Sequence, residues 1–313
     1  MKADHRVPVV LVLFNRPEET RRVFAAIRAA RPSWLFVIAD GPRSGVPGEA
    51  DRCAEALAVV DSVDWECDVR SSVSPTNLGC RDRVTSGLDW VFSEVDRAII
   101  LEDDCLPDPT FFRFCEDLLE HYADNPQVMS IAGTNQQFGR RRGPYSYYFS
   151  MYEACWGWAT WRRAWDRNDP QLATWPRAKE EGVLDFIFSS PSVRKSWFRI
   201  LSKVYRGEIN SWAYKWTYAH LIHSGLSIIP NVNLVSNIGF GPEATHTQGV
   251  SRLANMPAVP MAFPLDHPPY VVRHRVADEF LESLTVPPEW RRIAGRVRRG
   301  ARHVLTRATG GDQ

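Results

Sequence analysis

The chain has 313 residues, a hydrophobic content of 44% and a formal net charge of +1. This composition is enough to bury the core of one large α/β domain, or of a domain with a substantial appendage, and it excludes disordered and fibrous classes. Because the charges nearly cancel, no overall field recruits nucleic acid, and no nucleic-acid partner is expected.

The first part of the chain, from Val7 to Gly133, alternates short apolar runs with amphipathic stretches. Such alternation predicts strands joined by helices, and the near-continuous Val, Ile and Leu content is typical of parallel strands buried on both faces. We therefore expect an α/β fold with a mostly parallel sheet flanked by helices. The predicted strands are VPVVLVLF, WLFVIA, CDVRSSV and RAIIL, and the predicted helices cover 18–30, 49–60 and 81–95.

The chain beyond Gly133 is aromatic and less periodic, with helices predicted over 192–205 and 213–224. A Pro-rich stretch after Ser251 is expected to wrap the surface, and the chain ends in a strongly basic segment. The predicted organisation is one domain over 1–250, divided into halves at 1–133 and 134–250. A C-terminal wrap and basic tail follow over 251–313.

Two features bear on cellular location. The apolar run VPVVLVLF is too short for a membrane span or for the h-region of a signal peptide. The six cysteines form no CxxC pair and no close Cys/His set, which argues against structural zinc and a compact disulfide framework. We therefore expect a cytoplasmic protein with free thiols.

An acidic triplet, Glu102, Asp103 and Asp104, directly follows the RAIIL strand. Residues after parallel strands project from the carboxyl edge of the sheet, where ligands bind. Adjacent carboxylates repel one another, and a hard cation relieves the repulsion while bridging to a diphosphate. A solvated loop with an acidic helix cap is the alternative. The position of the triplet favours a site for Mn²⁺ or Mg²⁺.

Several segments in a fixed order carry a family resemblance. The order is NRPE after the first strand, ADGP after the second, NLGCR before a helix, and then LEDDCLPDPTFF, CWGWATW, SWAYKW and NIGFGPEATHT. Over roughly residues 7 to 250 the chain resembles GT-A-fold glycosyltransferases, specifically bacterial family 2-like proteins related to the N-acetylglucosaminyltransferase I type. The resemblance implies a GT-A (Rossmann-like) fold and an inverting, metal-dependent hexosyltransferase.

The same resemblance implies a UDP-linked or other nucleoside diphosphate sugar as donor and an acceptor of unknown class. It makes 1–133 the nucleotide-binding half and 134–250 the acceptor and sugar half. Asp104 is implied as the metal ligand, Asp103 as a neighbour of the ribose or sugar, and Glu102 as a partner of a sugar hydroxyl. Asp40 is implied to bind the pyrimidine edge, although Asp in DGP is also an ordinary turn residue.

The remaining donor residues follow from the loops and from the same resemblance. Asn15 and Arg16 follow the first strand and Arg81 opens the third helix, where guanidinium groups could hold base or phosphate oxygens. Surface solvation is the alternative for each. The segment from Trp156 to Trp161 is expected to form the wall around the sugar, with Trp158 as the stacking residue, and a buried aromatic cluster is the alternative. His246, beyond a glycine hinge, is implied as a metal or phosphate contact, although a lone His is more often structural.

The expected catalytic base is missing. Related proteins present an Asp where this chain has Ala213, and alanine cannot accept a proton. Either the chain is a disabled variant, or Glu153 serves instead, or the acceptor needs no protein base. A catalytically inactive sugar-nucleotide-binding subunit is therefore the main alternative function. A nucleotidyltransferase is less favoured because the FNRPEE loop lacks the glycines of a phosphate loop.

The basic tail suggests a further contact. Six arginines surround three small apolar residues at roughly helical spacing between 291 and 304. Such a segment could attach peripherally to an anionic membrane, and a solvated or disordered tail is the alternative.

Overall fold

The structure is a computed structural model that describes residues 5–240 and 252–285. An eight-stranded sheet runs through its centre in the order β3-β2-β1-β4-β8-β6-β9-β7. Its strands are β1 (Val9–Leu13), β2 (Trp34–Ala39), β3 (Asp68–Val73), β4 (Arg97–Glu102), β6 (Val128–Ala132), β7 (Tyr147–Ser150), β8 (Trp158–Trp161) and β9 (Leu226–Pro230). Two further strands, β5 (Cys105–Pro107) and β10 (Val235–Asn237), form a separate antiparallel pair.

The helices of the described residues pack on both faces of this sheet. The first five long ones are α1 (Pro17–Ala30), α2 (Glu49–Ala58), α3 (Gly79–Glu94), α4 (Thr110–His121) and α8 (Pro191–Tyr205). The remaining ones are α9 (Ala213–Ile222), α10 (Arg275–Thr285) and the short α5 (Arg162–Trp165), α6 (Trp175–Glu180) and α7 (Val183–Ile187). The mixed α/β architecture expected from the sequence is confirmed.

One half of the sheet is fully parallel. β1 lies between β2 and β4, with Val9 opposite both Leu35 and Ile99. Alternate residues of β1 enter two different cores: Leu11 packs in the core that contains α1 and α4, and Val10 packs in the core that contains α3 and α9. Burial on both faces explains the continuous apolar runs. The parallel arrangement brings the ends of β1, β2 and β4 to one edge.

The other half of the sheet is mixed. β8 is antiparallel to both β4 and β6, β6 is parallel to β9, and β7 is antiparallel to β9. Strands contributed by residues 134–250 therefore continue the sheet begun by residues 1–133. The parallel series predicted from the sequence does not extend to this half, because the aromatic region folds back through β7 and β8.

Residues 252–285 lie against the body of the protein. Val259 N–H donates to the Asn233 carbonyl at 2.7 Å, and His274 N–H donates to the Phe149 carbonyl at 2.7 Å. Asp278 of α10 is fully buried and accepts from the Ser150 hydroxyl at 2.5 Å. The predicted wrap thus contains a docked helix. The basic tail and His246 lie outside the described residues, and none of the described helices is long and apolar enough to span a bilayer.

Candidate functional site

A cavity of about 310 Å³ opens at the carboxyl edge of the parallel half of the sheet. Its walls come from the loops after β1, β2 and β4, from the start of α3 and from the segment after β10. Ligands of open α/β sheets bind at this edge. The polar and charged lining residues are Asn15, Arg16, Asp40, Arg43, Asn77, Arg83, Glu102, Asp103, Asp104, Asn210 and Asn237.

The acidic triplet meets a single guanidinium in this cavity. Arg16, at the start of α1, donates through Nη1 to Asp104 Oδ2 at 2.7 Å and contacts Asp103 Oδ1 at 3.4 Å. Asp103 also accepts from the Phe14 backbone N–H at 3.1 Å. Both aspartates are largely buried, with exposed fractions of 6% and 9%. The sequence-predicted Arg16 and triplet are therefore in direct contact.

Asp104 is enclosed by the chain that follows β10. Asn237 Nδ2 lies 3.3 Å from Asp104 Oδ1, and Ile238 N–H donates to the Asp104 carbonyl at 2.8 Å. A Cβ on Gly239 would lie 2.1 Å from Asp104 Oδ2 and 2.7 Å from its Cβ. Only glycine permits this approach, because any side chain would push the carboxylate aside.

The triplet holds more negative charge than its surroundings neutralise. Burial, and then repulsion from Asp104 and Asp103, raises the pKa of Glu102 to about 8 although Arg16 opposes the rise. Burial and repulsion from Asp104 raise the pKa of Asp103 to about 7. One guanidinium therefore does not offset three clustered carboxyl groups, and the site favours an additional cation.

Asp40 lines the cavity, and its carboxylate accepts hydrogen bonds from the loop before α3. Its Oδ1 accepts from the backbone N–H groups of Gly41 and Leu78, each at 2.9 Å. Its Oδ2 accepts from Gly79 N–H at 2.9 Å and from Asn77 Nδ2 at 3.0 Å. Four donors occupy the carboxylate, so Asp40 fastens the loop before α3 to the end of β2.

A second network lies beside Arg16. Asn15 Nδ2 donates to Glu49 Oε1 at 2.8 Å, and Arg43 donates to the same oxygen through Nη2 at 2.5 Å. The hydrogen bonds from Arg43 lower the pKa of the fully buried Glu49 to about 2. Glu49 thereby holds the guanidinium of Arg43 through Nε and Nη2, and the Arg43 side chain is half exposed at the cavity. The sequence analysis did not single out Arg43 or Glu49.

Trp158 and Arg81 do not line the cavity. The ring of Trp158 is 1% exposed and packs with those of Trp212, Trp165 and Trp216 at centroid distances of 5.4 to 6.3 Å. Trp158 therefore belongs to the aromatic core, which leaves no accessible face for a sugar. Arg81 pairs with Asp82 at 2.8 Å on the surface.

Trp156, two residues earlier in the chain, lines the cavity instead. Its ring lies 5.5 Å from that of Phe240 in an edge-to-face arrangement. Trp156 belonged to the segment expected around the sugar, but the sequence held no signal that separated it from Trp158.

Ala213 and Glu153 lie outside the cavity lining. Ala213 begins α9, and the preceding Trp212 contacts Glu102 through its side chain. The Thr217 hydroxyl lies within hydrogen-bonding distance of both the Glu153 carboxylate and the Ala213 carbonyl, the latter at 3.0 Å. Burial raises the pKa of Glu153 to about 7. A carboxyl group therefore reaches the first turn of α9, where the resemblance expects an Asp.

The donor set was tested against a divalent metal. Among residues 5–240 and 252–285, no group of three or more His, Cys, Asp or Glu side chains is arranged as a complete metal site. Mg²⁺-type ions, however, commonly use one or two carboxylates together with phosphate oxygens and water. The hard oxygen donors of Asp103 and Asp104, and their excess negative charge, fit an ion of this kind. A metal would have to share Asp104 with Arg16.

No protein-family model matches the chain, and no curated protein matches it. Among solved structures, it is similar to a mannosyltransferase from Pyrobaculum calidifontis, in complex with GDP-Man and Mn²⁺. That similarity has 10% identity and a TM-score of 0.38 over 70% of this chain and 69% of that one. Mouse xyloside xylosyltransferase 1 in its apo form is 13% identical, with a TM-score of 0.33 over 71% of this chain and 84% of that one.

A third similar structure is 4-diphosphocytidyl-2C-methyl-D-erythritol synthase from Anaerococcus prevotii. It is 7% identical, with a TM-score of 0.32 over 62% of this chain and 84% of that one. These identities and scores are too low to carry an argument about activity. The function must be argued from the site.

Proposed function

We propose that the chain is a nucleotide-sugar-dependent glycosyltransferase of GT-A type that binds the diphosphate of its donor at the carboxyl edge of β1, β2 and β4. The observation that carries the proposal is the buried Asp103–Asp104 pair at the end of β4, which faces Arg16 in a cavity at the ligand-binding edge of the sheet. An edge with buried carboxylates and two arginines suits a metal-bound diphosphate. The sequence resemblance adds the sugar-transfer chemistry.

Two arginines bind the anionic part of the donor in this proposal. Arg16 lies beside the aspartates, and Arg43 lies farther along the wall, braced by Glu49. Guanidinium groups suit phosphate oxygens because they donate two hydrogen bonds in parallel. Asn77 and Asn210 supply side-chain amides for the base and ribose, and Trp156 supplies an apolar wall for the sugar. UDP is the expected nucleotide, by the resemblance.

A divalent cation, Mn²⁺ or Mg²⁺, would supply Lewis-acid stabilisation of the departing diphosphate when bound. Asp104 would hold it, and Asp103 would stay bonded to the Phe14 N–H and orient the loop. Glu153 is the candidate acceptor of the hydroxyl proton, since burial holds its pKa at about 7, near the value suited to a general base. Inversion, a cytoplasmic location and peripheral membrane contact belong to the same proposal.

An inactive sugar-nucleotide-binding subunit is the second candidate. The observation in its favour is Ala213 at the start of α9, where the side chain cannot take a proton. Donor hydrolysis or transfer in the presence of Mn²⁺ separates the two functions, because a subunit that only binds the donor would neither hydrolyse it nor transfer its sugar.

The proposal is tested by a thermal-shift panel of nucleoside diphosphate sugars with and without Mn²⁺. A ligand that binds only the folded protein raises its apparent stability in proportion to RT ln(1 + [L]/Kd). We expect one nucleotide class to raise the Tm, and to do so more strongly with Mn²⁺ present. If no nucleoside diphosphate or its sugar raises the Tm under either condition, the proposed function is wrong.

A further inference from the structure

Arg16 occupies the position at Asp104 that a metal would need. Its Nη1 lies 2.7 Å from Asp104 Oδ2, and the other oxygen of that carboxylate faces Asn237. The Gly239 backbone packs against Oδ2, since a Cβ on this glycine would lie 2.1 Å from that oxygen. Each oxygen of the carboxylate therefore already accepts from a protein donor, and a cation that binds Oδ2 must compete with the charge of Arg16.

The Arg16 side chain is exposed enough to move, and a bound diphosphate would give it another partner. Its side chain is 20% exposed and lines the cavity, whereas the aspartates are more deeply buried. Arg16 also flanks the start of α1, whose first residue, Pro17, has no N–H to offer a phosphate. An arriving diphosphate would offer the guanidinium a bidentate partner with more charge than one carboxylate.

We infer that Arg16 is an exchangeable cation that keeps a divalent metal off Asp104 until a nucleoside diphosphate draws the guanidinium away. The inference rests on the proposed function and adds an order of assembly to it. Metal alone binds weakly because it competes with a positive charge already paired with its ligand. Metal and diphosphate bind tightly together because the phosphate accepts the arginine that the metal displaces. By linkage, each ligand must strengthen the binding of the other by the same factor.

The test measures Mn²⁺ binding directly, from the loss of the EPR signal of the free hydrated ion. Titrations of the full chain are run with Mn²⁺ alone and then with saturating UDP, and again with GDP. The variants are Arg16→Gln, which removes the charge, and Arg16→Lys, which keeps it. Arg97→Gln is the matched control, because Arg97 begins strand β4 and pairs with Glu120 outside the cavity. A melting curve for each variant establishes that it is folded.

For the wild type and for Arg16→Lys we expect weak binding of Mn²⁺ alone and a large gain with nucleotide. Arg16→Gln should bind Mn²⁺ alone about tenfold more tightly than the wild type, in line with the loss of one charged hydrogen bond from the competing cation. The increase in Mn²⁺ affinity that nucleotide causes should be correspondingly smaller in Arg16→Gln. Arg97→Gln should bind Mn²⁺ alone as the wild type does. Adding Asp104→Ala to Arg16→Gln should abolish the tighter binding, since the metal then lacks its ligand.

Two results would overturn the inference. One is equal binding of Mn²⁺ alone by the wild type and Arg16→Gln. The other is that the tighter Mn²⁺ binding of Arg16→Gln survives the addition of Asp104→Ala. Failure of the proposed function gives a different pattern, in which neither UDP nor GDP changes Mn²⁺ binding in any variant. If nucleotide strengthens Mn²⁺ binding equally in the wild type and Arg16→Gln, the transferase proposal stands and the role of Arg16 is wrong.

Discussion

The two halves of the central sheet use their distinctive residues in opposite ways. At the edge of the parallel half, charged side chains face a cavity, and three carboxyl groups share one guanidinium. In the mixed half, the abundant aromatic side chains turn inward, and Trp158, Trp175 and Trp216 are among the largest fully buried residues. The parallel half thus places clustered ionisable groups at the opening of a cavity, whereas the mixed half packs large aromatic rings into the core.

The comparison shows that abundance of a residue type does not locate a site. The sequence analysis expected Trp158 to stack on the sugar, yet Trp158 packs in a four-tryptophan cluster that holds α9 against the sheet. A cluster of buried ionisable groups indicates a functional site more strongly than the abundance of a residue type does. Burying such groups in a low dielectric costs free energy unless a partner or ligand compensates them.

Replacing the two neighbouring tryptophans would test this contrast most strongly. Trp158→Ala should destabilise the fold by about 3–5 kcal/mol, because it empties a large buried volume. Trp156→Ala should change the free energy of unfolding far less and should weaken binding of a nucleotide sugar. Chemical denaturation and calorimetric titration of both variants check this. Weaker sugar-nucleotide binding by a fully folded Trp158→Ala protein, with Trp156→Ala unaffected, would reverse the assignment of the two rings.

Ala213→Asp probes the boundary between the two regions. An Asp at the first residue of α9 would lie next to Trp212, which contacts Glu102, and the helix N-terminus would keep it ionised. We expect single-turnover transfer to rise by about 10²-fold with little change in donor affinity, since the group acts on the acceptor proton. Ala213→Asn is the control for size and polarity. Equal rates in Ala213→Asp and the wild type would favour Glu153 or an acceptor-supplied base.

The pH dependence of stability tests the environment of Glu153. Burial raises its pKa from 4.5 to about 7, so below pH 4.5 the group is protonated in both the folded and unfolded chains. Between pH 4.5 and about 7 the group has released its proton in the unfolded chain but not in the folded one, so the free energy of unfolding falls as the pH rises. The fall ends when the group in the folded protein also ionises. Glu153→Gln should therefore stabilise the protein by on the order of 2 kcal/mol at pH 8 and by little at pH 4.5.

Melting curves of Glu153→Gln at the two pH values give this difference directly. Glu180→Gln, on the exposed surface of α6, is the matched control and should shift the Tm equally at both pH values. A Glu153→Gln protein that is no more stable than the wild type at pH 8 would mean that the carboxylate is already ionised and well compensated.

Gly239→Ala is the smallest change at the cavity edge. Its Cβ would lie 2.1 Å from Asp104 Oδ2, so the carboxylate must shift, and we expect roughly tenfold weaker Mn²⁺-dependent UDP binding. Gly225→Ala is the control, because its Cβ would meet the flexible Met129 side chain at the same distance but far from the cavity. Unchanged UDP binding by Gly239→Ala would show that the enclosure of Asp104 is unimportant for the ligand.

The parallel half could be predicted closely from the sequence. WLFVIA forms β2 over the predicted residues, and the helix expected over 81–95 is observed as α3, Gly79–Glu94. Local apolar periodicity determines such elements, because β1, β2 and β4 are buried on both faces and each helix on one. For the same reason the position of the acidic triplet at the sheet edge could be foreseen.

The features that could not be predicted depend on contacts between residues that are distant in the sequence. The pairing of β5 with β10 brings Gly239 against Asp104, although no local pattern links residues 105–107 to residues 235–237. The engagement of Asp40 by four donors and the support of Arg43 by Glu49 arise in the same way. A turn-forming Asp and a base-binding Asp look alike in one sequence, and only the tertiary hydrogen bonds separate them.

The central claim is that Asp104 holds a metal-bound nucleoside diphosphate. Its most direct test is calorimetric titration of UDP, and of GDP in parallel, into the wild type and Asp104→Ala with and without Mn²⁺. Asp82→Ala serves as a control, since that carboxylate pairs with Arg81 outside the cavity. The account predicts Mn²⁺-dependent nucleotide binding in the wild type and Asp82→Ala, and loss of the Mn²⁺-dependent part in Asp104→Ala. Unchanged Mn²⁺-dependent affinity in a folded Asp104→Ala protein would contradict it.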